Sequence, residues 1–234
     1  MYLKEVKSDK HKKTMKKLLF SFILVILTII PGFADSPLTS TDFYRAYLDV
    51  PIVKKAADNP NKLTKEMMEY LYDDKNPLDI RIALVNAVGW NFDGLSTMKD
   101  YIEYCFDLNK EKVDFVYPVD EEAKVKSAFV IENASNEQLA VLVYLQAMSN
   151  YFDTENNYAF WEYAMQTPLM NKQSYMLPMG LVLAQTAFDF DDWGNIYPAM
   201  NFYLFSPEIQ DVRPEAIEII MDYINEYKEY ADRP

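Results

Sequence analysis

The sequence predicts an all-α single domain of stacked α-hairpins, and three observations predict it. Apolar side chains recur at three- and four-residue spacing along nearly all of residues 41–229, the pattern of helices that each bury one stripe. Glycine is scarce, with 5 in 234 residues, too few for the turns of an all-β fold. The one strand-like run, Val113 to Tyr117, is too short and solitary to support a sheet.

The first helix starts at Thr41 and carries Phe43, Ala46 and Tyr47, and Pro51 opens its continuation through Ile52, Val53 and Ala56. Thr64 caps a second helix bearing Met67, Met68 and Leu71. The third is the best marked. Asn76 is its expected cap, Pro77 its first residue, Asp79 sits at the favourable end of its dipole, and Gly89 suits its C-terminal turn. Spacing then predicts helices over about 96–107, 119–133, 135–151, 155–166, 172–188, 192–205 and 213–229. Ser135 with Gln138 forms a capping box, and Arg213-Pro214-Glu215 marks the last start. The stretch from Tyr223 to Tyr230, interspersed with Glu226, Lys228 and Glu229, predicts a polar closing helix.

Within residues 65–89, an acidic turn at Asp73-Asp74 leads to a helix carrying Ile80-Arg81 and then Ala87-Val88-Gly89. This segment resembles one unit of a HEAT-like α-α repeat. The resemblance implies a HEAT- or TPR-like superhelix whose concave face meets a partner. An aromatic-Asp corner recurs at Phe92-Asp93, Phe152-Asp153 and Phe190-Asp191, at separations of 60 and 38 residues, so no constant period is kept. Each corner is expected to close an inter-helix groove with its ring and to cap the next segment with its carboxylate.

Residues 1–34 read as a cleavable signal peptide. Seven lysines precede the apolar run Leu18 to Ile30, and Pro31-Gly32-Phe33-Ala34 then places small residues where a signal peptidase reads them. Thirteen apolar residues rise only about 20 Å as a helix, short of a hydrocarbon core of about 30 Å, so stable membrane insertion after cleavage is not expected. Met15 offers a second, more compact start. Residues 35–234 are then the exported helical domain, periplasmic or secreted from a bacterium.

The leader masks the charge of that domain. Of 23 Lys+Arg and 36 Asp+Glu, residues 1–34 hold 7 and 2, which leaves 16 and 34 and a net charge of −18. Such a surface repels phosphate backbones, so nucleic acid is excluded and a cationic protein or peptide partner is favoured. The only histidine, His11, lies in the leader, which removes Ser/Cys–His nucleophiles, a histidine base and histidine-containing metal or haem sites from residues 35–234. The only cysteine, Cys105, permits no internal disulfide and is expected to pack as a small hydrophobe.

The candidate binding residues are Asp189, Asp191, Asp192 and Trp193 at one corner and Trp90 and Asp93 at another. The Asp189–Asn195 run gathers carboxylates as a calcium loop does, but an EF-hand reading fails at Trp193 and at Met200, where a bidentate Glu belongs. Glu121-Glu122, and Glu162 beside Trp161 and Tyr163, invite a glycosidase reading, although residues adjacent along a helix point apart. No catalytic residue, metal ligand or cofactor is implied. The expected function is that of an exported, non-enzymatic binding or scaffold protein. The alternatives are a small carboxylate-based glycoside hydrolase and a cation-dependent adhesion module. Protein recovered from the exporting cell is expected to begin at Asp35, which intact-mass measurement decides; retention of residues 18–34 would overturn the processing.

Overall fold

The computed structural model describes residues 35–112, 121–167 and 171–231. The leader 1–34 and the strand-like run at 113–117 lie outside them. A 3-10 turn, Phe43–Tyr47, precedes α1 (Pro51–Asp58), α2 (Lys65–Tyr72) and α3 (Leu78–Val88). Next come α4 (Thr97–Asn109), α5 (Glu122–Glu132), α6 (Asn136–Ser149) and α7 (Thr154–Met165). The chain finishes with α8 (Gln173–Asp189), α9 (Ile196–Phe205), α10 (Pro214–Ile224) and the short α11 (Lys228–Ala231). Among the described residues the only strand-type contact is an isolated bridge between Lys172 and Ile209. Residues 37–234 form one unit, and it is all-α.

Local chemistry accounts for most boundaries. Ser135 Oγ accepts from Gln138 N at 3.1 Å while Gln138 Oε1 accepts from Ser135 N at 3.1 Å, so α6 opens on a reciprocal box. Thr64 Oγ1 accepts from Met67 N at 3.4 Å at the head of α2. The third helix differs from expectation by one residue. It begins at Leu78 behind Pro77, and Asn76 does not cap it, because its Nδ2 donates back to Tyr70 O at 2.9 Å. The expected closing helix is also broken: α10 stops at Ile224, and a 3-10 turn, Asn225–Tyr227, separates it from α11.

Three helices, α3, α6 and α8, are buried almost all round, from Arg81 to Val88, Leu139 to Leu145 and Gln173 to Val182. The helices around them are amphipathic, as in α1, where Ile52, Val53 and Ala56 face in and Lys54, Lys55 and Asp58 face out. The three central helices run in the same direction. At their N-terminal ends Glu137 Oε2 accepts from Arg81 Nη1 at 3.2 Å and Oε1 accepts from Lys172 Nζ at 2.9 Å, which joins α3, α6 and the residue before α8. Arg81 has no exposed surface; its Nε donates to Leu71 O at 2.9 Å and its Nη1 lies 3.1 Å from Asp74 Oδ1. Halfway along, Asn86 Nδ2 donates to Tyr144 Oη at 2.9 Å and to Thr41 O at 3.2 Å, stitching α3 to α6 and to the N-terminal segment.

The helix α9 lies hard against α8 at Gly180, where a Cβ would meet the Cβ of Tyr203 at 2.7 Å. The two ends of the unit also meet. Arg213 N donates to Tyr47 Oη at 3.1 Å, its Nη1 donates to Ala46 O at 2.8 Å, and its guanidinium lies 4.5 Å from the centre of the Tyr47 ring. A quasi-one-dimensional stack holds contacts between sequence neighbours alone. Here α3 also packs on α8, and the 43–47 turn packs on α10, so the hairpins close on one another.

Arg81→Ala strands one side of a buried charge network and is expected to cost about 3 kcal/mol in urea unfolding. Arg81→Lys should recover less than half, since one ammonium cannot reproduce a fork that reaches a carbonyl and two carboxylates. A loss under roughly 1 kcal/mol in the alanine variant would show that the network is dispensable.

Candidate functional site

The common direction of α3, α6 and α8 brings their C-terminal ends to one side, and each ends in an aromatic-acid corner. After α3, Gly89 (φ 78°) and Gly94 (φ 75°) supply the left-handed positions that turn the chain back over the end of α6, where Leu95 N donates to Ser149 O at 2.9 Å. This places Trp90 against Tyr151 with ring centres 4.7 Å apart and Phe92 over Phe152 at 6.1 Å. Tyr151 is buried beneath, while Phe92 and Phe152 are 60% and 59% exposed. Asp93 sits at the rim, its backbone N–H turned to Asn91 Oδ1 at 3.0 Å.

The third corner is tied to the second. Thr154 Oγ1 donates to Asp189 Oδ2 at 2.6 Å, and Gln185 Nε2 donates to Asp189 Oδ1 at 2.7 Å. Desolvation pushes the Asp189 carboxyl above the usual carboxylate range, and these two hydrogen bonds act in the opposite direction. Asp191 adopts a left-handed φ of 57°, and Asp192 Oδ2 accepts from Asn195 Nδ2 at 2.7 Å. Trp193 leaves the cluster, packing edge-on against Tyr230 at 5.3 Å. Of the six expected residues, Trp90 and Asp93 therefore share the first corner, Asp189 links the third corner to the second, and Asp191, Asp192 and Trp193 build the turn into α9.

Those carboxylates do not converge as ligands. Among the described residues no three Asp, Glu, Cys or His side chains are placed to hold a metal ion, and Met200, at the twelfth position of the loop pattern, is fully buried. The carboxylates of the glycosidase reading are dispersed as well. Glu122 pairs with Lys126 at 2.7 Å, and Glu162 is exposed on α7. Trp161 is stacked on Tyr158 with ring centres 5.4 Å apart and donates its Nε1–H to Met179 O at 3.0 Å.

Beside the third corner lies a feature that spacing alone does not reveal. An apolar groove of about 580 Å3 runs between α7, α8 and α9, walled by Tyr158, Leu183, Ala187, Phe190, Ala199 and Phe202. Asp192 and Asn195 stand at the end where α8 turns into α9. Phe190 and Phe202 are 63% and 56% exposed, and α9 contains no charged residue although one of its faces meets solvent. A second groove, of about 550 Å3 between α4, α5, α6 and α7, differs in carrying both signs of charge, with Lys99 and Glu103 in its wall.

The stretch of chain that builds the first groove is acidic, and a cation that reaches α9 from outside it is Lys228, whose Nζ lies 5.5 Å from the centre of the Tyr197 ring. From Asn136 to Val212 nine carboxylates stand against a single cation, Lys172. That lysine is already committed to Glu137 at the opposite end of the central helices, and this partner raises its pKa. No protein-family model matches this chain, and neither a curated protein nor a solved structure is similar to it.

Calcium is expected to raise the melting temperature no more than sodium chloride at matched ionic strength, because it acts here by screening alone. Asp191→Asn with Asp192→Asn should cost under about 1 kcal/mol, since asparagine tolerates the left-handed conformation and can still accept from Asn195. A calcium-specific gain, of about 2.7 kcal/mol at 100 times the dissociation constant and lost in the double variant, would overturn this reading of the corner.

Proposed function

We propose that this chain is a non-enzymatic binding protein that takes a basic, amphipathic helix of a partner protein into the groove between α7, α8 and α9. The apolar groove, with the Asp192 carboxylate at one end and set in a stretch from Asn136 to Val212 that holds nine carboxylates and one lysine, carries the proposal. Burial of aliphatic side chains against Phe190, Phe202, Leu183 and Ala187 supplies affinity. A helix with apolar residues at i, i+3, i+4 and i+7 matches a trough walled by helices. Lys or Arg at the end facing Asp192 sets its direction, and the surrounding negative field speeds encounter.

Export belongs to the same proposal and rests on the composition of residues 1–34. So does kinship with HEAT-like repeats. The shared direction of α3, α6 and α8, each closed by an aromatic-acid corner, supports that kinship, and the contact between the two ends of the unit limits it.

Two amphipathic peptides of equal length and apolar content, one flanked by Lys and one by Glu, test the function by fluorescence anisotropy. The basic peptide is expected to bind and to weaken steeply with added salt. Phe190→Ala with Phe202→Ala should weaken it at least about tenfold, because exposed aromatic anchors dominate such contacts. Their exposure predicts little change in melting temperature. Equal binding of the acidic peptide, or full binding by the double variant, would sink the proposal.

A further inference from the structure

A separate cavity of about 150 Å3 lies between α2, α4, α5 and α6. Tyr101, Cys105, Val130 and Leu142 are its buried residues, and Tyr72, Asn109 and Gln138 stand toward its partly open side. Among the described residues no charged side chain lines it. The amides at the open side are spoken for. Asn109 Nδ2 donates to Tyr72 Oη at 3.1 Å and to Cys105 O at 2.8 Å, while Gln138 Nε2 donates to Tyr72 O at 3.0 Å and its Oε1 holds Ser135 N.

The Tyr101 hydroxyl stands apart. Its residue is 1% exposed, and among the described residues no acceptor meets the hydroxyl with hydrogen-bond geometry, the nearby Cys105 thiol being a weak and poorly aligned neighbour. A buried hydroxyl without an acceptor is costly, and the space beside it is large enough to bring one. A cavity of about this volume has room for one six-membered ring, and its mixed lining of amides and apolar side chains suits a ring that carries a polar atom. The two buried titratable groups remain neutral at physiological pH: burial pushes the Cys105 thiol up to about 12 and holds the Tyr101 phenol well above its ordinary value. An ionic guest would therefore find no counter-charge, and its desolvation would go uncompensated.

We propose that this cavity binds an uncharged, ring-sized organic molecule whose oxygen accepts a hydrogen bond from the Tyr101 hydroxyl. The site is independent of the α7–α9 groove, so either can fail without the other. Size restricts the guest to a single six-membered ring with one small polar substituent. Tyr101 supplies its one directional contact, and Leu142 and the neutral Cys105 supply its apolar surroundings.

The probes are cyclohexanone, methylcyclohexane, which has the ring without an acceptor, and cyclohexanecarboxylate, which adds a charge. Each is titrated into the full chain by calorimetry, with melting temperature as a second readout. Cyclohexanone should bind more tightly than methylcyclohexane, and the carboxylate should not bind. Tyr101→Phe keeps the ring and removes the donor. It should melt no lower than the parent, because the lost hydroxyl had no well-aligned acceptor, and should bind cyclohexanone roughly fivefold more weakly. Cys105→Met fills the space and should abolish binding; if that variant does not fold, the Tyr101→Phe comparison still decides. Equal affinity in parent and Tyr101→Phe would overturn the proposal. So would the absence of cyclohexanone binding, which would mean a cavity occupied by water only.

Discussion

Glu137 holds the molecule's polarity. Its two carboxylate oxygens are divided between Arg81 at the start of α3 and Lys172 before α8, and each cation comes from a different central helix. A guanidinium with no exposed surface must find acceptors or unfold its surroundings, and Arg81 finds them in Leu71 O, Asp74 and Glu137. Those acceptors lie on one side of the core. The three buried helices therefore start together and run the same way. Hydrophobic burial alone would accept either direction for helices apolar all round, so the charge network supplies what packing leaves open.

Starting together means ending together, and the consequences fall at the opposite side. Three helix C-termini each carry a partial negative charge, and Asp93, Asp153 and Asp189 lie within a few residues of them. Of these only Asp189 lies in a last helical turn, where an acid costs about 0.3–1 kcal/mol, whereas Asp153 also stands at the N-terminal end of α7, which favours it. Part of the cost at Asp189 is offset locally by donors from Thr154 and Gln185. In the proposed complex a cation of the partner would relieve the remainder, and the apolar groove beside the third corner would hold the body to which that cation is attached.

Most of the fold was legible because its signals are local. Ser135 and Gln138 announce α6, Thr64 announces α2, and the turn glycine Gly89 marks where α3 stops. Asn76 misled because an asparagine before proline is a cap by position, whereas its amide had a better partner in a carbonyl six residues back. The aromatic-acid corners could be seen in the sequence, but their meaning depended on the direction shared by helices some 50 residues apart. The groove was harder still. The run from Ile196 to Phe205, apolar all round, reads as a core helix, and nothing in its spacing says that Phe202 and Phe205 face water while Met200 and Tyr203 are buried. The signal was the absence of charge from a helix near the surface, together with forty residues on either side of Lys172 that carry no other cation.

That absence also bears on what can occupy the groove. Exposed phenylalanines at Phe92, Phe152, Phe190 and Phe202 invite self-association in a protein of low net charge. Here residues 35–234 carry a net charge of −18, and the stretch containing the groove is almost purely anionic, so two copies approaching groove to groove bring like fields together. Repulsion of that kind excludes a second copy without weakening the apolar contacts themselves, and it leaves the same contacts open to a cationic guest. For the proposed partner, apolar walls would decide how tightly it is held, whereas the acidic stretch around them would decide which partner is admitted.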